Sequence, residues 1–99
     1  MMPVTDSHKM WADLLHDDPA ASHDILAEVR QRILEGEIEV AKGMLRTLIK
    51  ATCGYPAISD DVGRNSKSIM RMLSPDVDPG IKAFMSVVNA AERHSQKPA

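Results

Sequence analysis

Thirteen residues, GRNSKSIMRMLSP from Gly63 to Pro75, carry Arg64, Lys67 and Arg71 and no acid. In a chain of 99 residues with net charge −2, three bases this close describe either a solvated helix face or a surface for phosphates and base edges. Lys and Arg can donate to guanine O6 and N7, and Ser can pair with several base edges. On a helix over roughly residues 66–73 with Asn65 as its N-cap, Ser66, Lys67 and Ser68 fall in the first turn and Arg71 one turn later. A recognition helix presents that end to the major groove, and the free N–H groups there suit a phosphate. Ser66, Lys67, Ser68 and Arg71 are therefore the candidate base-reading residues. Arg64, in the turn, and Lys82, early in the last helix, are the candidates for backbone phosphates, which position without specifying. An exposed Met70 could meet a thymine methyl.

The other chemistry-bearing residues form no comparable pattern. His8, His16, His23 and His94 make no i, i+4 pair and join no Cys at ligand spacing, so no metal is expected. Asp17-Asp18 and Asp60-Asp61 are adjacent, and neighbours on a helix point apart, which argues against a paired general acid and base. The five glycines match no phosphate loop. Cys53 stands alone, which rules out an internal disulfide and suits a reducing cytosol; filling a helix face is its expected role. Neither an enzyme nor a bound cofactor is expected. The start, MMPVTDSHKM, lacks the apolar stretch of a secretory signal, and no apolar run approaches a membrane span, so the expected location is cytoplasmic with no membrane partner.

The elements that must hold these residues read as helical. Only three aromatics occur, and the hydrophobic 43% of the chain leans on Leu, Ile, Val, Ala and seven Met, a composition that favours helices over sheets. Trp11, Leu14 and Leu15 suggest a short apolar patch ended by Asp17-Asp18-Pro19. Ser22 stands as an N-cap for a helix with Ile25, Leu26, Val29 and Ile33 on one stripe, stopped or kinked at Gly36. The next helix puts Ile38, Ala41, Leu45, Leu48 and Ile49 on one face. It lines Lys42, Arg46 and Lys50 on another at spacing four, which reads as a solvated face ahead of a phosphate stripe. It runs to about Thr52 and ends at Gly54. Pro56 begins a short helix with Ile58 and Val62, closed by Gly63 in a left-handed cap. After the 66–73 helix, SPDVDPG is a turn. Asp78 and Pro79 are then the cap and first position of a helix carrying Ile81, Phe84, Met85, Val88 and Ala91. The expected fold is all-α, a compact bundle of about five helices.

Two short helices joined around a glycine are the sequence picture of a helix-turn-helix. Counted from Gly63, the small Ser59 lies four before, Val62 one before, Ile69 six after and Met72 three further on. The stretch from about Leu45 to Ala91 resembles the λ-repressor/Cro-like helix-turn-helix regulators. It is most similar to addiction-module antidote proteins, the HigA-like antitoxins and their prophage-type relatives. The residues that carry the likeness are Gly54-Tyr55, Gly63, the run Ser68-Ile69-Met70-Arg71-Met72-Leu73-Ser74-Pro75 and Asp78-Pro79. Arg64 stands where those proteins usually have an apolar residue, and Gly80 where they often have Thr. The resemblance implies operator binding as a dimer, repression of the chain's own operon and, for an antitoxin, a small cognate toxin as partner.

The expected organisation is an acidic helical N-terminal extension over 1–36, a helix-turn-helix DNA-binding domain over 37–94 and a disordered tail over 95–99. Residues 1–39 hold nine acids against three bases, a balance of −6, while residues 40–99 hold nine bases against five acids, a balance of +4. The front segment could pack on the core, mediate dimerisation through its Ile25–Ile33 stripe, or meet a basic partner. The leading expectation is a sequence-specific DNA-binding repressor. The alternative is a protein–protein module on the same helical fold without DNA binding.

Overall fold

Five helices make up the described part of the chain, which contains no strand. They are α1 (Pro19–Leu34), α2 (Ile38–Ala51), α3 (Gly54–Val62), α4 (Ser66–Met72) and α5 (Ile81–Ser95). The computed structural model describes residues 19–95. The Trp11, Leu14 and Leu15 patch, His8, His16 and Asp17-Asp18 lie outside the described residues, as does the expected tail apart from Ser95.

Local chemistry fixes most of the boundaries. Pro19 is the first residue of α1, a position whose N–H has no helical partner in any case. The helix ends in a Schellman motif. Gly36 sits at φ +79°, its N–H donates to the Ile33 carbonyl at 3.0 Å, and the Glu37 N–H donates to Arg32 at 2.8 Å. Gly63 closes α3 in the same left-handed region at φ +71°, its N–H donating to the Ser59 carbonyl at 3.0 Å.

Two expected caps are displaced. Ser22 is not an N-cap, because α1 begins three residues earlier and leaves Ser22 buried within its second turn. Asp78 and Pro79 precede α5 without capping it. The Gly80 carbonyl accepts the first helical bond, from the Phe84 N–H at 2.9 Å.

The core runs through all five helices. Leu26 and Val29 of α1, Ala41, Leu45, Leu48 and Ile49 of α2, and Ile58 of α3 are fully enclosed. So are Ile69, with Leu73 just past the end of α4, and Val87, Val88 and Ala90 of α5. The acidic front segment thus contributes directly to the same core as the rest. Its apolar stripe faces inward, with Ile25 and Ile33 packed against the cluster. Helix α1 packs on α2 and α5, α2 also on α3 and α5, and α3 on α4 and α5. On α5 the buried stripe differs from the expected one. Val87 joins it, while Ile81 is 64% exposed because it stands at the helix start, beyond the reach of the other helices' apolar faces.

Candidate nucleic-acid interface

The short helix α4 is built from its ends. Asn65 has extended backbone geometry at φ −74° and ψ 159°, and its Oδ1 accepts from the Ser68 N–H at 2.8 Å, so it is the N-cap. That bond uses one of the amide groups at the helix start. Upstream, the Ser59 hydroxyl donates to the Arg64 carbonyl and ties the end of α3 across the Gly63–Asn65 link. Ile69, Met72 and Leu73 are buried at i, i+3, i+4 spacing. The opposite side is left to solvent: Lys67, Ser68, Met70 and Arg71 are exposed and Ser66 is half-buried. Lys67 and Arg71, four residues apart, share one strip of that side. Arg64 is exposed in the link. Lys82 is exposed as the second residue of α5, a helix that is not among the principal packing neighbours of α4.

Charge is distributed unevenly over the described residues. Among them Arg30 pairs with Glu92 at 2.8 Å, Arg32 with Glu28, Glu35 and Glu37, Lys42 with Glu39 at 3.1 Å, and Arg93 with Asp61 at 2.6 Å. Arg64, Lys67, Arg71, Lys82 and Lys50 make no ion pair there. Among the described residues Glu28, Glu35, Glu37 and Glu39 of the acidic front all meet cations of this chain. Asp61, close before the turn, is occupied by Arg93 and by His94 at 2.9 Å. The Arg93 guanidinium holds the Asp61 carboxyl below the usual carboxylate range.

At the other end of α4 lies a contact that the sequence does not reveal. Lys42 and Arg46 do not line a solvated face. The Lys42 side chain is completely buried, and its ammonium donates to the Ser74 carbonyl at 3.1 Å, to the Val77 carbonyl, and to Glu39 at 3.1 Å. Arg46 donates to the Leu73 carbonyl. Only Lys50 of that row is exposed. The three carbonyl acceptors lie 27 to 35 residues downstream of their donors, so no local pattern could have found them. Residues 74–77 form a tight turn, with the Val77 N–H 3.5 Å from the Ser74 carbonyl, Pro75 second and Asp76 third at φ +66°. A proline followed by a positive φ is the signature of a type II turn.

Comparison with known families, with curated proteins and with solved structures finds no match.

The remaining reactive groups are tied into the fold. Cys53 is half-buried beside the core and burial pushes its thiol up, the wrong direction for a nucleophile. Burial likewise raises the Tyr55 phenol, with Arg46 opposing. Among the described residues no three His, Cys, Asp or Glu side chains gather as metal ligands. No described helix is long and apolar enough to cross a membrane.

Proposed function

We propose that this chain is a sequence-specific DNA-binding regulator that acts as a repressor and uses α3 and α4 as a helix-turn-helix. One observation carries the proposal: on a mildly acidic chain in which Arg30, Arg32, Lys42 and Arg93 are ion-paired, Arg64, Lys67 and Arg71 form an exposed, acid-free set on one capped helix and its turn. A surface kept cationic in this way suits a polyanion.

In this reading α4 enters the major groove with its exposed side toward the bases. Lys67 and Arg71 donate to base acceptors such as guanine O6 and N7, and the Ser66 and Ser68 hydroxyls meet neighbouring edges. Arg64 and Lys82 contact phosphates and set the register. Repression follows from occupancy of the operator. The resemblance noted above adds a homodimer and, for an autoregulating antitoxin, a small toxin partner.

Selection of duplexes from a random pool, followed by mobility shift of the enriched sequence at several salt concentrations, tests the proposal. An enriched sequence bound with an affinity that falls steeply with salt is the expected outcome. Failure to enrich any sequence would sink it in favour of a protein–protein module. Sizing of the free and DNA-bound protein reads the dimer in the same series.

A further inference from the structure

We infer that Lys42 and Arg46 are positioning residues for the α4 face: they grip the carbonyls of its C-cap, Leu73, and of the turn that follows, and so fix how Lys67 and Arg71 are presented. The consequence for DNA rests on the proposed function, while the grip itself stands on geometry alone.

Helix α4 has seven residues, two turns, and so short a helix has little stability of its own. Its principal helix neighbour is α3. Its last carbonyls have no intrahelical partner and carry the negative end of the helix dipole. Many helices satisfy them with a left-handed glycine, as α1 and α3 do here. No glycine follows α4: the chain continues through Leu73 at φ −91° into Ser74-Pro75. Ser74 meets part of this deficit, its N–H donating to the Arg71 carbonyl at 3.0 Å and its hydroxyl to the Met70 carbonyl at 2.9 Å, and α2 holds the chain from the C-cap onward. Arg46 takes the Leu73 carbonyl, and Lys42 takes those of Ser74 and Val77.

The two donors are four residues apart, hence on one strip of α2, and that strip runs along the end of α4 and the turn after it. Glu39, 3.1 Å from the ammonium, balances the charge of an otherwise enclosed lysine. A lysine with no exposed surface cannot itself meet a phosphate. Its effect on a ligand must pass through the backbone it holds. The reading face is anchored at its start by Asn65 and at its end by α2, which pre-organises both of its cations.

The test compares Lys42→Met, which keeps the buried stem, with Arg46→Gln and the conservative Arg46→Lys. Amide exchange is followed in the free proteins, and binding to the duplex enriched by the wild type is measured across salt. In Lys42→Met and Arg46→Gln the Leu73, Ser74 and Val77 amides should exchange about tenfold faster or more, with Leu48 and Val88 unchanged, as local opening requires. Affinity should fall about tenfold with the salt slope unaltered, because no phosphate contact is lost. Arg46→Lys should restore most of both. Unchanged exchange near residue 74, a uniform acceleration of every amide, or a reduced salt slope overturns the inference. If Lys42→Met does not fold, the Arg46 pair decides by the same criteria. If the wild type enriches no duplex, the DNA-binding proposal fails and exchange alone judges the grip.

Discussion

The Oδ1 of Asn65 accepts a hydrogen bond from the Ser68 N–H at 2.8 Å, and this one contact sets where α4 begins. An N-cap is replaceable only by another short acceptor. Asn65→Ala should therefore lower stability by about 1 kcal/mol, with Asn65→Asp close to neutral, as read from urea midpoints. In a DNA-binding assay the order should invert in part. Asp keeps the cap yet brings a negative charge beside Lys67, so it should weaken binding more than it weakens the fold.

The exposed cations divide by role, and salt dependence separates them. Arg64→Ala and Lys82→Ala should weaken binding about equally on every duplex and each reduce the salt slope by about 1. Lys67→Ala and Arg71→Ala should instead cost roughly 1–3 kcal/mol of discrimination between the enriched sequence and its point variants. Competition titrations with single-base variants provide the measurement. Equal losses on all sequences for Lys67→Ala and Arg71→Ala would remove them from the base-reading set.

Asp61 links the end of α3 to the end of α5 through Arg93 and His94. Its carboxyl is held below the ordinary range, principally by the hydrogen bond from Arg93. A lowered folded value means that the contribution is fully present above the unfolded value of about 4 and is lost as pH falls through the lowered one. Asp61→Asn should be less stable than the wild type near neutrality, and the two should converge on acidification below about pH 4. Thermal midpoints taken from pH 7 to pH 2 check this. A constant gap across that range would detach the effect from the carboxylate.

Asp76 occupies a left-handed backbone position at φ +66° in the turn that offers the Ser74 and Val77 carbonyls to Lys42. Short polar residues and glycine tolerate that region, whereas β-branched ones do not. Asp76→Gly and Asp76→Asn should stay near wild-type stability, and Asp76→Val should lose about 1–2 kcal/mol. Equilibrium denaturation of the three variants is sufficient.

Much of the helix pattern was legible because it depends on neighbours in sequence. The Gly36 and Gly63 caps, the Asn65 cap and the inward set Ile69, Met72 and Leu73 follow from backbone sterics and helical spacing that act over a few residues. Where the local signals competed, they misled. Ser22 is a good cap residue, but Pro19 fits the helix start and the apolar environment takes the serine inside. Ile81 fits the stripe of α5 but lies where no other described helix covers it. Arg64, at odds with the resemblance, fits this chain's own turn, because the Ser59 hydroxyl secures the Arg64 carbonyl and leaves the side chain free.

The sequence by itself determined the helical class, most of the turns and the composition of the exposed α4 face, since each is governed by interactions within about one or two helical turns. Only the tertiary structure decided which cations remain available. Lys42, Arg46 and Lys50 are alike in sequence, at identical spacing on one helix, yet they end as an enclosed donor to two distant carbonyls, a half-buried donor to a third and a solvated charge. Their fates differ because residues 73–77, just after α4, offer carbonyls to the first two positions and not to the third. A carbonyl some thirty residues away leaves no trace in local spacing.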